Sequence, residues 1–450
     1  MPTESPANAT REKCNPVVEV PAKGRLAGAV IETHDPQQVI EDIRNQLAAK
    51  DNVLAFLFGT GTSSGIKIDG TGDSAGTKIS LVPDLKGLTA LCKAAVTAKG
   101  KPQAEAWPIL EAQCEAEKME ANIENILSVV QSRVEAIGGK EMLSGLSGSQ
   151  WAQLEAVIRE TIAKAVQPGD KLVPTQLPQD DFARWVRQSN RGRPLEVFTL
   201  NYDVLIERAM EKAAVPLFDG FVGAYEPFFC PDSLERKELC PPPTWTRLWK
   251  IHGSVNWQAR GGIGKGRVVR TQPTDTGEMI LPSRRKYDES RKLPYTALLD
   301  QLCRTLDQSN SVLVTCGYSF GDYHVNSILL SVLDNRRLSH VVALMHGELS
   351  TRSRVVRIAD GRRNFIVVGP NGGVIEGKWA PWRLVRPVDE STSAFMDLAF
   401  DSEAVKPDEN KGAADPTSAD LQGKVRLGSF ADFCKFLLTI CREENAPDGD

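Results

Sequence analysis

Four short segments of the chain combine glycine and hydroxyl residues with amide, carboxylate or imidazole side chains. Each follows a short apolar run: Gly59, Thr60, Gly61, Thr62 and Ser63; Asn201, Tyr202 and Asp203; His252, Gly253 and Ser254; and Gly317, Tyr318 and Ser319, with Asp322 close behind. The glycines of the first segment let backbone amides approach a phosphate closely, and the neighbouring hydroxyls add donors. Amide, carboxylate and imidazole groups can move or orient protons. These segments are therefore the candidate site.

Each segment also has a purely structural interpretation. A glycine-rich stretch after a strand is often a surface loop. Asn201 or Asp203 can simply cap the helix that follows it. His252 is one of five histidines, and a histidine at the end of a strand is more often structural than catalytic. No single segment decides between the two interpretations.

The elements that carry these segments alternate between short apolar strands and helices. A helix is predicted over 36–50 and a buried strand over 53–58, followed by a glycine-rich loop through residue 76. Strands that are apolar on both faces and alternate with helices predict an α/β fold with an open parallel sheet. Ligands of such sheets bind outside the carboxyl ends of the strands. The four segments are therefore predicted to lie at one edge of the sheet.

The rest of the chain divides by composition and periodicity. Helical spacing dominates 85–166, in three predicted blocks (85–99, 106–137 and 149–166), and we interpret about 88–167 as a large helical insertion. The other predicted parts are an N-terminal tail (1–35), a β-hairpin (364–387), a linker (401–425) and a C-terminal helix (426–450). The last helix has a broad apolar face that includes Phe430, Phe433 and Leu437. This face predicts either docking onto its own domain or contact with another subunit.

Composition excludes several classes of protein. Hydrophobic residues make up 41% of the chain, which is too many for a disordered protein, and the net charge of −4 gives no basis for bulk nucleic-acid binding. The short basic clusters Arg284–Lys286 and Arg336–Arg337 are interpreted as solvated surface. The nine cysteines include no CxxC pair, so neither a disulfide scaffold nor a zinc ribbon is expected. The start lacks a signal sequence and no apolar run would span a bilayer, so we expect a cytoplasmic protein without membrane contact.

Taken in order, the motifs resemble the sirtuin-like (SIR2) family, and more closely its bacterial NAD-cleaving branch in antiphage defence. The family's Gly-Ala-Gly-x-Ser loop is similar to Gly59–Ser63, and its Pro-Asp-Phe-Arg-Gly motif is similar to Pro83–Gly87, which adds Asp84. Its Gln-Asn-Ile-Asp motif resembles Leu200–Asp203. Its His-Gly and Gly-Thr-Ser motifs resemble His252–Gly253 and Gly317–Ser319. The resemblance covers about residues 50–350.

This resemblance implies a Rossmann-like, NAD-binding catalytic domain over 36–400 that cleaves NAD to nicotinamide and ADP-ribose. It implies that His252 is the general base and that Asn201 orders the ribose hydroxyls or the attacking water. It also implies that Asp203 binds the carboxamide, while the remaining candidates contact the rest of NAD: Gly59, Thr60, Gly61, Thr62, Ser63, Asp84, Gly317, Tyr318, Ser319 and Asp322. Defence proteins of this type often assemble. A homo-oligomer is therefore expected, with a HerA-like ATPase or another defence protein as a possible partner.

Departures from the family pattern favour hydrolysis over deacylation. The paired cysteines of the sirtuin zinc ribbon are absent, since only Cys303 and Cys316 fall between the histidine and Gly-Thr-Ser motifs. That ribbon helps to build the acyl-lysine cleft of deacylating sirtuins, and we expect no metal here. Two alternatives stay open. One is a protein deacylase or ADP-ribosyltransferase, and the other is a non-catalytic sensor of NAD or ADP-ribose.

Overall fold

A computed structural model describes residues 33–70, 76–100, 103–236, 238–261, 267–272, 293–336, 338–385, 388, 390–402 and 423–444. The described residues from Thr33 onward belong to one compact unit. Most of the predicted N-terminal tail, residues 403–422 of the predicted linker, and the basic cluster Arg284–Lys286 lie outside the described residues.

The strands are short, as their apolar runs indicate. In chain order they are β1 (Val53–Phe58), β2 (Lys67–Asp69), β3 (Lys78–Ser80), β4 (Met142–Leu143), β5 (Leu146–Ser147), β6 (Glu196–Thr199), β7 (Leu217–Phe218), β8 (Phe221–Val222), β9 (Phe228–Phe229), β10 (Thr246–Lys250), β11 (Trp257–Arg260), β12 (Arg267–Arg270), β13 (Ser311–Cys316), β14 (His340–Leu344), β15 (Phe365–Val368), β16 (Gly372–Ile375), β17 (Lys378–Pro381), β18 (Phe400–Asp401) and β19 (Lys424–Val425).

The helices range from a single turn to eighteen residues. In chain order they are α1 (Pro36–Ala48), α2 (Gly61–Ser64), α3 (Leu85–Ala98), α4 (Gln103–Ala116), α5 (Ile123–Ala136), α6 (Gly148–Ala165), α7 (Pro178–Gln188), α8 (Leu205–Lys212), α9 (Asp232–Glu235), α10 (Tyr295–Leu306), α11 (Tyr323–Asn335), α12 (Arg354–Ala359), α13 (Glu390–Ala399) and α14 (Phe430–Glu444), with a 3₁₀ turn at Asp170–Leu172. Among the described helices, none has both the length and the apolar character that a bilayer crossing requires.

The central sheet has nine strands in the order β17-β16-β15-β14-β13-β1-β6-β10-β7. From β15 to β7 every neighbouring pair is parallel, whereas β16 and β17 join antiparallel at one edge. All six residues of β1 and of β13 are buried, because helices cover both faces of the sheet. The predicted fold class, α/β with a Rossmann-like open parallel sheet, is confirmed. The range predicted as a hairpin, 364–387, contains the three strands β15–β17.

The C-terminal helix α14 packs on one face of this sheet. Phe433, Phe436 and Leu437 are fully buried, and the Phe430 ring lies 5.0 Å from the ring of Phe58 in β1, centroid to centroid. Helices α1, α7, α8 and α13 contribute to the same apolar core. Of the two interpretations of this helix, docking onto its own domain is therefore the one observed, and its apolar face is not available to a second subunit.

Helices α3–α6 form a separate helical layer with its own apolar core, which is centred on Trp107 and Trp151. The single block predicted over 106–137 is wrong, because the chain breaks between α4 and α5. Lys118 adopts a left-handed conformation (φ 55°), and the Asn122 side chain caps α5 by accepting a hydrogen bond from the Asn125 amide at 3.1 Å. The predicted loop over 59–76 is also wrong in part, since α2 and β2 lie within it.

Candidate active site

The four candidate segments lie side by side because four neighbouring strands end at the same level. In the register of the sheet, Phe58 of β1 pairs with Cys316 of β13 and with Thr199 of β6, and Thr199 pairs with Lys250 of β10. The residues after these strands therefore emerge together at the carboxyl edge of the sheet. They surround a cavity of about 700 Å³, which is within the usual range for small-molecule sites.

The structure brings twelve of the thirteen predicted site residues to the wall of this cavity. They are Gly59, Thr60, Gly61, Ser63, Asp84, Asn201, Asp203, His252, Gly317, Tyr318, Ser319 and Asp322. The remaining one, Thr62, is buried, and its hydroxyl hydrogen-bonds with Asn201. Convergence of these residues was the main expectation from the sequence, and it is what the fold produces.

The glycines of the first and last segments are required by contact between two loops. Gly61 donates its amide to the Gly317 carbonyl at 3.0 Å. A Cβ atom on Gly59 would lie 2.5 Å from that carbonyl oxygen, and one on Gly317 would lie 2.6 Å from the amide nitrogen of Thr62. Close backbone packing thus explains these glycines without any ligand, a reason that the sequence pattern did not reveal.

The side chain of Asn201 is held in one orientation by two hydroxyls. The Thr62 hydroxyl donates to the Gly59 carbonyl, and the Ser63 hydroxyl donates to Asp203 Oδ2. Both hydroxyl oxygens can therefore only accept from Asn201, and Asn201 Nδ2 donates to them at 3.0 and 2.9 Å. Asn201 Oδ1 is left as a buried acceptor without a partner among the described residues. Such an acceptor is ready for a hydroxyl or water of a ligand.

Asp203 is a buried carboxylate, 5% exposed. Its Oδ2 accepts from Ser63 at 2.8 Å and its Oδ1 accepts from the Leu205 amide at 3.1 Å, at the start of α8. Burial raises the pKa of Asp203 above its ordinary value, while the nearby Lys250 ammonium acts in the opposite direction. The N-cap of α8 is Val204, so Asp203 is not the helix cap; its side chain instead ties the loop to the first amide of the helix while it lines the cavity.

Lys250, which the sequence analysis did not select, holds the backbone of Asp203 in place. Its ammonium group is almost completely buried, donates to the Asp203 carbonyl, and forms an ion pair with Glu207 of α8 at 2.9 Å. A buried ion pair is a strong positional constraint, because removing one partner leaves a buried charge. The only available signal was a lysine at the last position of one strand and a glutamate in the helix that follows the neighbouring strand β6.

His252 sits in a tight turn between β10 and β11. Gly253 adopts a left-handed conformation (φ 85°) and donates its amide to the Lys250 carbonyl, which fixes the turn. The amide of Val255 donates to the Tyr202 carbonyl, so this turn is tied to the loop that carries Asn201 and Asp203. His252 Nε2 lies 3.2 Å from Asp322 Oδ2. The imidazole therefore lies against the loop after β13, while its own turn is tied to the loop after β6.

Other predicted residues serve the loops in ways that the motifs did not show. The Asp84 side chain caps α3 by accepting from the Gly87 amide at 2.8 Å, although it also lines the cavity. The phenol of Tyr318 is buried and its hydroxyl bonds the Asp322 carbonyl and Asn326 Oδ1, so only its backbone is placed to meet a ligand. Ser319 remains at the wall with an exposed side chain.

Further parts of the cavity wall come from the helical layer and from α12. Leu88, Glu120, Glu124 and Val166 belong to the helical layer or its ends, and Arg354 begins α12. Among the described lining residues, Arg354 is the only permanently charged cation, and one of its nitrogens donates to the Phe320 carbonyl at 3.2 Å. No sequence motif marked these positions, because they approach the site only through packing of distant segments.

The site contains the groups needed to bind a polar ligand and to accept a proton from it. Within the described ranges, no three His, Cys, Asp or Glu side chains converge as a metal-binding group. What the site does present is an oriented amide oxygen, a buried carboxylate and an imidazole beside a second carboxylate. Such an arrangement can orient a water molecule and remove a proton from it.

Comparison with known proteins relates one segment of the chain to a protein family. A search of curated proteins gave no match to the chain. Residues 195–360 match the model of the SIR2-like domain family, a segment that runs from β6 to α12 and contains Asn201, His252 and Asp322. SIR2-like domains are NAD-dependent enzymes in general, so the match indicates an NAD-related activity. Over this segment, the chain is similar to the SIR2-like domain family.

Proposed function

We propose that this protein is an NAD⁺ glycohydrolase, which cleaves the bond between nicotinamide and ribose to give nicotinamide and ADP-ribose. The observation that carries the proposal is the convergence of Asn201, Asp203 and His252 on one cavity, next to the loops at Gly59–Ser63 and Gly317–Ser319. The similarity of residues 195–360 to SIR2-like domains supports NAD as the ligand.

Hydrolysis of this bond requires the protein to position NAD and a water molecule and to supply one base. The oxygen of a water molecule attacks C1′ of the ribose, the electron pair of the glycosidic bond leaves with the nicotinamide nitrogen, and the water proton passes to His252. Asn201 Oδ1, the unpartnered acceptor, orients that water or a ribose hydroxyl. Asp203 accepts a hydrogen bond from the carboxamide of nicotinamide. The positively charged nicotinamide is thereby held as its ring becomes neutral, which favours the transition state.

The helical layer supports hydrolysis over transfer to a protein. It lines the cavity with Glu120 and Glu124, whereas an acyl-lysine or similar side chain would need an apolar channel at that wall. These two carboxylates, which stand beside Leu88 and Val166 on the same wall, favour a water molecule over an alkyl chain. Deacylation, ADP-ribosyl transfer and NAD sensing remain the alternatives against which the proposal is tested.

The direct experiment measures nicotinamide release from NAD by the purified full-length protein in the presence of a metal chelator. We expect release by the wild type and at least about a hundredfold slower release by His252→Ala, the usual contribution of a positioned base. His340→Ala serves as the matched control, because His340 begins β14 at the opposite end of the sheet. Activity that needs added zinc, or that survives in a folded His252→Ala variant, would contradict the proposal.

The biological setting is also a proposal. We infer that the activity depletes NAD during antiphage defence, in a homo-oligomer and with a partner such as a HerA-like ATPase. The resemblance of the motifs supports this inference, but the C-terminal helix does not, because its apolar face is buried in its own domain. Light scattering on the full-length protein tests assembly, and a strictly monomeric, fully active enzyme would overturn it.

A further inference from the structure

Asp322 was expected from the sequence to contact NAD, but its carboxylate is directed at His252. Asp322 Oδ2 lies 3.2 Å from His252 Nε2, and the carboxylate is 6% exposed. We propose that Asp322 is a positioning residue, which selects the tautomer and the orientation of the His252 ring. The catalytic consequence of this inference rests on the proposed function. The contact between Asp322 and His252 is independent of it.

The carboxylate is locked in place by the helix that follows it. Asp322 is the N-cap of α11, and its Oδ1 accepts from the backbone amides of His324 at 2.9 Å and Val325 at 3.1 Å. Its carbonyl accepts from the Tyr318 hydroxyl at 3.2 Å. Because Oδ1 is committed to two amide donors, the group cannot rotate without losing the cap. Oδ2 is therefore presented to His252 in a fixed direction.

A carboxylate can only accept a hydrogen bond, and this property determines the protonation pattern of the ring. With Asp322 Oδ2 at 3.2 Å, the neutral tautomer of His252 that carries its hydrogen on Nε2 is favoured, and in that tautomer Nδ1 is the basic nitrogen. When the ring takes a proton, the adjacent negative charge stabilises the imidazolium. Asp322 thus acts on the reaction through His252 and does not need to touch the substrate.

The variant Asp322→Asn separates this role from the helix cap. An asparagine caps a helix as well as an aspartate does, and its Oδ1 must remain toward the His324 and Val325 amides, since its NH₂ group would oppose those two donors. Its Nδ2 then faces His252 Nε2, which can only accept from it. The neutral ring is therefore forced into the other tautomer. Asp35→Asn is the matched control, because Asp35 caps α1 by accepting from the Gln37 amide.

The decisive readout is the tautomer of His252, recorded on the full-length protein with ¹⁵N-labelled histidine at alkaline pH. The spectrum contains five histidines, and His252 is assigned by its absence in His252→Gln. We expect the Nε2–H form in the wild type and in Asp35→Asn, and the Nδ1–H form in Asp322→Asn. An unchanged tautomer in Asp322→Asn would overturn the proposal even if the protein does not cleave NAD.

Kinetics provide the second readout. We expect Asp322→Asn to lower kcat for nicotinamide release by about a hundredfold with little change in KM, because the base is misdirected while binding is retained. A raised KM with an unchanged kcat would return Asp322 to the role of a ligand contact and overturn the inference. If Asp322→Asn does not fold, Asp322→Ser keeps a cap but cannot reach His252. A single fixed Nε2–H form in that variant would equally overturn the inference.

Discussion

The two walls of the cavity are built in different ways. The sheet wall consists of loops after β1, β6, β10 and β13, and its polar groups are bonded to one another at short range, as in the chain from Asn201 through Ser63 to Asp203. The helical wall consists of side chains from α3–α6 and their connections, with Glu120 exposed at its surface. One wall is fixed by hydrogen bonds, whereas the other is a packed layer that presents carboxylates.

This difference indicates a division of labour. A fixed network can hold reacting groups within the small tolerance that catalysis requires. We expect the helical wall to affect ligand binding more than the chemical step. The two are nevertheless joined, because Leu205 and Val255, which flank the segments of Asp203 and His252, belong to the apolar core of the helical layer. Displacement of the layer would therefore move the loops that carry Asp203 and His252.

The largest expected effect comes from Asn201→Ala on the sheet wall. It removes the oriented Oδ1 acceptor, and we expect nicotinamide release to slow by at least about a hundredfold with the fold retained. Asn364→Ala is the matched control, since Asn364 Nδ2 also donates to two oxygen atoms, here the carbonyls of Leu333 and Arg336, at the other end of the sheet. Equal activity losses in the two variants would remove the distinction between the site and any other bonded asparagine.

An intermediate effect is expected for Asp203→Asn. Losing the charged acceptor should lower kcat/KM by about 10- to 100-fold, the range for a hydrogen bond to a charged group. The same substitution should raise the stability of the folded protein at neutral pH while it lowers the activity. Because burial raises the pKa of Asp203, the folded state binds more protons than the unfolded state above about pH 4, so this residue destabilises the protein increasingly as pH rises toward its raised pKa.

Thermal unfolding at several pH values measures that second effect. The melting temperature of Asp203→Asn should exceed that of the wild type near neutral pH, and the difference should shrink as pH falls to about 4. Asp69→Asn is the control, because the Asp69 side chain is 84% exposed. A wild type that is more stable than Asp203→Asn at neutral pH would show that its hydrogen bonds outweigh its burial.

The smallest effect is expected on the helical wall. Glu120→Gln removes an exposed carboxylate that repels the diphosphate of NAD, so we expect KM to fall by about two- to fivefold while kcat stays unchanged. The change should diminish at high salt, because exposed charges are screened. Glu115→Gln, on the exposed surface of α4, is the control. A large fall in kcat for Glu120→Gln would contradict the division between the walls.

The sequence predicted the fold and the neighbourhood of the site for a common physical reason. Short strands apolar on both faces require a covered parallel sheet, and parallel strands bring their carboxyl ends to one edge. The location of the segments around Asn201, His252 and Gly317 followed from that alone. The helix break near Lys118 could not be predicted in this way, because the apolar spacing continues through it and a local cap decides the boundary.

The direction of individual side chains could not be predicted from the sequence. The partner of Asp322 depends on how the loop after β13 meets the turn after β10, and the burial of Lys250 depends on its contact with Glu207 of α8. Both are outcomes of packing between segments that lie tens of residues apart. The motifs therefore identified the residues at the cavity, whereas the hydrogen bonds show which of them contact one another.

The central claim is that the sheet wall directs water to NAD, and isotope-labelled water tests it most directly. Purified full-length protein is incubated with NAD in H₂¹⁸O, and the products are weighed by mass spectrometry. We predict equal amounts of nicotinamide and of ADP-ribose that carries one ¹⁸O atom, with both lost in His252→Ala. Nicotinamide without free ADP-ribose would instead indicate transfer to an acceptor, and bound but uncleaved NAD would indicate a sensor; either result would contradict the account.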